Sequence, residues 1–333
     1  MKFGSVPLEE AEGAVLAHSV DTGSRRWRKG ALLSGEDIAA MAEAGLNDVI
    51  VAQLSREDLD ENAAAARLAR AIVPDPEAAG LRIAEAFTGR VNLIAESPGV
   101  LEVDIAAIEA FNRVHPMITI ATLPPWQQMG TGQMAATIKI ISYGVPQAAV
   151  AEAEALAQGA LSLHAPVIRD AGLVITDIPG GPSNDKGIRA TEGRLKALGL
   201  EMAEVRVVPH DADVLAEALK QLKGDLALIL TGSATSDSAD VAPSAVRQAG
   251  GEVARFGMPV DPGNLLFIGN LGERPVIGLP GCARSPALNG ADWVLSRVAC
   301  GVEVGDDDIA GMGVGGLLKE IPTRPQPRAG RKR

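Results

Sequence analysis

From about Pro166 to Val302 the chain alternates short apolar runs with longer amphipathic ones. The apolar runs are Leu173-Val-Ile175, Val205-Arg-Val-Val208, Leu226-Ala-Leu-Ile-Leu230, Leu265-Leu-Phe-Ile268 and Val276-Ile-Gly-Leu279. Between them, residues 185–198, 211–222 and 243–249 place apolar side chains at helical spacing, and a closing helix is predicted over 289–300. Strands that are apolar throughout and alternate with helices predict an α/β fold: a mostly parallel sheet flanked by helices on both faces. Ligands of such sheets sit beyond the carboxyl ends of the strands.

Upstream the pattern is mixed. Ser34-Gly-Glu-Asp37 reads as a capping box opening a helix that carries Ile38, Met41 and Leu46. Asp48-Val-Ile-Val51 reads as a strand, and the Ala-rich run 57–72 as a second helix. Thr137-Ile-Lys-Ile-Ile-Ser142 is β-branched and predicts a strand; residues 147–158 predict a helix ended by Gly159. Leu123-Pro-Pro-Trp126 and Met129-Gly-Thr-Gly132 read as loops. Pro74-Asp-Pro76 is strong punctuation. The expected organisation is a smaller mixed α/β region over 1–75, a mixed middle region over 76–165, the parallel-sheet domain over 166–304, and a flexible tail or linker stub over 305–333.

Composition narrows the partners. The 333 residues carry 31 Lys and Arg against 42 Asp and Glu, a net charge of −11. Such a chain has no global attraction for nucleic acid or anionic lipid, so an anionic ligand must be met by local N–H groups. Aromatic residues are 3 %, too few for a base-stacking platform. Two cysteines and four scattered histidines build neither a zinc cage nor a disulfide framework. The acidic start of the chain lacks a signal-peptide core, and no apolar run is long enough to span a membrane. A cytoplasmic protein, without nucleic-acid or membrane partners, is expected.

Three polar loops follow predicted strands: Thr176 to Gly187, Pro209-His-Asp211, and Thr231-Gly-Ser-Ala-Thr-Ser-Asp-Ser-Ala-Asp240. Together they predict a concave site of hydroxyls, backbone N–H groups and carboxylates. The third leads into a helix, whose free N–H groups suit a phosphate. None contains a Walker A or a Rossmann glycine fingerprint. Asp185, Asp211 and Asp240 each stand where a helix begins, so each suits an N-cap as well as a ligand role. A fourth feature joins Asp261-Pro-Gly-Asn264 to the turn Leu279-Pro-Gly281, where glycine permits close backbone approach. Cys282, beside Arg284, reads either as an acidic thiol or as a small packing residue.

In this order the loops resemble the molybdopterin-binding domain shared by molybdopterin adenylyltransferase, molybdopterin molybdotransferase and the competence-damage family. Asp185-Lys-Gly-Ile188 resembles the DKG element, and Val207-Val-Pro-His-Asp211 the VPD segment. Thr231 to Asp240 stands where that family has TGGTGxxxxD. Asp261-Pro-Gly-Asn264 and Gly278-Leu-Pro-Gly281 are similar to the KPGKP and GLPGNP pair. Trp27 to Asp37, running on to Val49-Ile-Val51, is similar to the segment leading into the domain of the molybdotransferase. The chain departs from the pattern at Ser233 and Thr235, where glycines stand, at Asp261 and Asn264, where lysines stand, and at Cys282, where Asn stands.

The resemblance implies binding of molybdopterin or adenylylated molybdopterin by Asp185, Thr231, Gly232, Ser233, Asp237, Gly263, Pro280, Gly281 and Cys282. It implies catalytic and Mg²⁺-holding roles for Asp211 and Asp240 in molybdate insertion. It equally implies a binding module that passes the cofactor to a nucleotidyltransferase domain or a molybdoenzyme. A competence-damage-type nucleotide pyrophosphatase is the third reading. A homo-oligomer is expected.

Overall fold

The computed structural model describes residues 1–320; the expected Pro- and Arg-rich tail from Pro322 lies outside the described residues. The chain forms two compact units. One comprises Met1–Glu96, Leu101–Pro125 and Thr131–Leu163; the other comprises Ser97–Val100, Trp126–Gly130 and, among the described residues, 164–320.

In the first unit, strands Lys2–Pro7, Asp48–Gln53 and Val15–Leu16 make a small antiparallel sheet. Its helix Gly35–Glu43 starts where expected, because Ser34 and Asp37 cap each other reciprocally. The Ala-rich helix begins four residues later than the pattern suggests, at Glu61. Asp60 accepts the N–H groups of Asn62 and Ala63 and so fixes the start. This helix packs on strands Arg90–Ala95 and Met134–Ile140 and on helix Gln147–Leu156. Pro74-Asp-Pro76 therefore lies inside one unit rather than between two. Asp75 holds a turn there, accepting from Ala78 and Ala79.

The second unit carries the parallel sheet. Its elements are β1 (Asp170–Asp177), α1 (Asn184–Ala197), β2 (Glu201–Pro209), α2 (Ala212–Gln221), β3 (Leu226–Leu230), α3 (Val241–Gln248), β4 (Glu252–Phe256), β5 (Phe267–Leu271), β6 (Arg274–Leu279), α4 (Gly290–Ala299) and α5 (Asp306–Gly311). Strand order is β2-β1-β3-β6-β5-β4. The first four strands are parallel; β5 and β4 close one edge antiparallel. Strand β4, with Glu252, Ala254 and Phe256 alternating around Val253 and Arg255, is absent from the sequence expectation because it lacks an apolar run.

All five side chains of β3 are buried, as a central strand covered on both faces requires. One layer sets Leu195, Leu228, Ile277, Val294 and Leu295 together; the other sets Val174, Leu215, Leu219, Ile229, Val246 and Val276 together. Each such aliphatic side chain contributes roughly 1.5–3 kcal/mol on burial. Gly278 is obligatory in β6, since a Cβ there would meet the Phe267 ring at 1.9 Å.

The domain does not stop at Val304. Residues 306–311 form a helix, and Ile309, Met312 and Leu318 are buried in the first core layer. The string Asp306-Asp-Asp308 looked loop-like because its acidic residues belong to the first turn of α5, where negative charge suits the helix dipole.

Candidate functional site

Register brings the loops to one edge. Ile175 pairs with Leu230 and Leu230 with Leu279, so β3 and β6 end level, and β1 runs two residues beyond them. Asp177 pairs with Pro209, which brings β2 to the same edge. The loops 178–183, 210–211, 231–240 and 280–289 all leave from it, as parallel topology dictates.

A fully buried hydroxyl ties three of them. Thr176, at the end of β1, accepts the N–H of Gly232 at 3.0 Å and shares a hydrogen bond of 2.8 Å with Nδ1 of His210. Gly232 can approach only because it lacks a side chain; a Cβ would stand 2.7 Å from the Thr176 carbonyl. Thr231, also buried, turns its hydroxyl onto the Ser233 carbonyl at 2.6 Å and toward the Thr235 hydroxyl at 3.2 Å.

Beyond this tie the backbone is open. The N–H groups of Ser233, Ala234 and Thr235 have no acceptor among the described residues. Successive free N–H groups ahead of a helix carry partial positive charge. Helix α1, opening beside loop 178–183, also starts without a side-chain cap. Ser233 and Ala234 are exposed. This stretch therefore offers donors to an anion without a net positive chain.

The expected carboxylates have other partners. Asp240 caps α3: one oxygen accepts from Val241 N–H at 2.7 Å, the other from Ser236 N–H at 3.0 Å. The Ser236 bond, with help from the Val241 bond and the His210 charge, holds its carboxyl below the usual carboxylate range against the opposing effect of burial. Asp211 caps α2 through the N–H groups of Asp213 and Val214. Among the described residues no group of three or more His, Cys, Asp or Glu converges as a metal cage. Each engaged oxygen of Asp240 keeps a second lone pair, and the Asp211 bonds use one of its two oxygens, so both carboxylates cap a helix and retain acceptor capacity.

Asp237 shapes the third loop, accepting Ala239 N–H at 2.7 Å. Asp185 is exposed on the first turn of α1, where its charge suits the helix dipole. Pro280 is buried and opens the turn Gly281–Arg284; Gly281 is exposed with open space at its Cβ position, and Cys282 is half-buried beside it. Gly263 stands apart from the loops in role. It packs on the start of α4, with a Cβ position 2.7 Å from the Gly290 nitrogen, and Gly290 N–H donates to the Pro262 carbonyl.

Three residues at this edge escape a motif reading: Thr176, His210 and Arg284. Thr176 closes an otherwise apolar strand, His210 lies in the Pro209-His-Asp211 loop and Arg284 stands beside Cys282, but none is assigned a role by its motif. Arg284 bridges two loops, donating from Nη2 to the Thr231 carbonyl at 3.0 Å and from Nη1 to the Ser183 carbonyl at 3.2 Å.

The family model described as a probable molybdopterin binding domain matches residues 180–297, from the first loop into α4. A second model, a domain of unknown function (DUF8806), matches residues 5–53. The chain is similar to the molybdopterin biosynthesis MoeA protein from Pyrococcus horikosii at 15 % identity, covering 90 % of this chain and 75 % of that one, with a TM-score of 0.32. It is similar to a molybdenum cofactor biosynthesis protein from Pyrococcus furiosus at 13 % identity, covering 93 % of this chain and 65 % of that one, with a TM-score of 0.24. No curated protein matches. Among the described residues no helix is long and apolar enough to cross a membrane.

Proposed function

We propose that this chain, whose residues 180–297 are a domain of the molybdopterin-binding family, holds molybdopterin or its nucleotide form for hand-over in molybdenum cofactor biosynthesis. The observation that carries the reading is the run of free N–H groups at Ser233, Ala234 and Thr235, on the sheet edge where ligands of parallel sheets bind. The ligand supplies a phosphate; the chain supplies free donors.

In this reading Thr176 and Gly232 fix the loop, and Thr231 and Ser233 shape its curve. The phosphate sits on the exposed N–H groups. Gly281, with space above it, and Cys282 flank the pterin side. Asp237 and Asp240 act through the loop they shape rather than on the ligand. The reading put forward is hand-over to a nucleotidyltransferase or an apo-enzyme, with Asp211 and Asp240 serving as helix caps.

The test is to purify the chain from cells that make the cofactor and identify the co-purifying pterin by mass spectrometry. A pterin phosphate recovered with wild type and lost with Gly232→Val supports the reading. A chain that never carries or binds a pterin ends it.

A further inference from the structure

Arg284 is a half-buried cation without an ion-pair partner among the described residues. Both of its bonds go to carbonyls, one on each side of the gap between loops 178–183 and 231–240. Its Nε is sealed from solvent with no acceptor among the described residues. Gly187 of α1 leaves room for it; a Cβ there would stand 3.1 Å from Nη1. Asp177 acts on it only from beyond ion-pair distance, and that carboxylate already accepts from Asn184 Nδ2 at 2.9 Å. Burying a guanidinium costs solvation; bonds to carbonyls offset part of it, as Arg274 shows against Leu219 and Leu222, and a nearby anion offsets more. The Thr231 carbonyl it holds precedes the free N–H groups by two residues.

We infer that Arg284 is a positioning residue that clips the first loop to the third and supplies the positive charge for a phosphate seated on the Ser233–Thr235 N–H groups. The inference rests on the proposed function for the location of the ligand, and it adds the source of charge. Arg284 reaches this edge from the Gly281–Arg284 turn. A guanidinium suits the role because its planar fork holds two carbonyls at once while keeping its charge. Exposed Lys186 and Arg247 lie on the flanking helices, where water screens them.

The phosphate could belong to a pterin or be free inorganic pyrophosphate; two arms separate these. In the first, pyrophosphate is titrated calorimetrically into the full chain, into Arg284→Lys and into Arg284→Gln, each checked for native circular dichroism. Wild type is expected to bind, Arg284→Gln to bind about tenfold more weakly with a shallower salt dependence, and Arg284→Lys to recover part of the loss. In the second, purified pterin phosphate replaces pyrophosphate. Pyrophosphate binding that depends on Arg284, with no pterin binding, keeps this inference and removes the molybdopterin reading. Pterin binding of equal strength in wild type and Arg284→Gln does the reverse. Should Arg284→Gln be misfolded, Arg284→Lys decides alone: with native circular dichroism, it must weaken pyrophosphate binding. A wild-type chain that binds neither ligand, or a folded variant that binds both normally, overturns the inference.

Discussion

Thr176 and His210 meet at 2.8 Å across the ends of two neighbouring parallel strands, and the same hydroxyl receives the N–H of Gly232. One buried side chain thus couples three loops. Thr176→Val keeps the shape and removes both hydrogen bonds, leaving a buried N–H without an acceptor. The expected loss is about 1–3 kcal/mol, read as a lower urea midpoint with an unchanged slope. Thr176→Ser recovers most of it. A Val variant as stable as wild type would show that the bonds contribute nothing net.

The parallel sheet was legible because β1, β3 and β6 are runs too apolar to face water. Loops 178–183, 210–211, 231–240 and 280–289 followed from that by topology alone. What escaped the pattern has a physical reason in each case. Strand β4 alternates instead of running apolar, and the α5 acids look like loop until the helix they start is seen. The division at Pro74-Asp-Pro76 failed because the packing of helix Glu61–Ile72 on strands beyond it is a long-range fact that punctuation does not encode. At the site, Asp211 and Asp240 read as caps and as ligands; the structure shows the capping bonds of each, which depend on the fold of the loop around them. Arg284 was visible as a residue but not as a bridge, since its acceptors at Ser183 and Thr231 are distant in sequence.

Asp240 gives the third loop a pH signature. Its carboxyl titrates below the usual value, first through the Ser236 bond, so its stabilisation is present above the unfolded carboxylate pKa of about 3.9. It is lost as pH falls through the folded value. Asp240→Asn is expected to cost about 1 kcal/mol at neutral pH, since Asn still caps but one acceptor becomes a donor. That deficit should shrink below about pH 4 and vanish near full protonation. Paired urea melts across that range measure it. A deficit independent of pH would assign the effect to shape rather than charge.

The two cysteines separate by access. Cys300 is 3 % exposed, and burial pushes its thiol up to about 11 despite a hydrogen bond with the Val100 backbone. Cys282 is half-buried on the Gly281–Arg284 turn. Iodoacetamide at about pH 8 should modify Cys282 in the native protein and Cys300 only after denaturation, as peptide mass spectrometry will show. Cys282→Ser should leave the fold intact. Native labelling of Cys300 at a comparable rate would contradict its burial.

The turn that carries Gly281, Cys282 and Arg284 is itself anchored by a single buried side chain. Arg194, on α1, donates from Nε to Asp292 at 2.7 Å and from its two Nη groups to the carbonyls of Ala283 and Ser285, each at 2.8 Å. Its ion pair with Asp292 is nearly closed to solvent, at 7 % and 15 % side-chain exposure. Asp292 also completes the capping box of α4 by accepting Asn289 N–H at 2.8 Å. Removing Arg194 therefore strands a buried carboxylate and two carbonyls together. Arg194→Met is expected to cost about 3–5 kcal/mol, the range for breaking one side of a buried pair. Arg194→Lys keeps the charge but has no fork to span Ala283 and Ser285, so it should recover only the Asp292 contact. Hydrogen exchange distinguishes anchoring of the turn from general destabilisation. In the Lys variant the Ala283 and Ser285 amides, bonded to the Pro280 and Cys282 carbonyls, should lose protection while β3 keeps its own. Uniform loss across the sheet would mean that Arg194 supports the domain as a whole and not the turn.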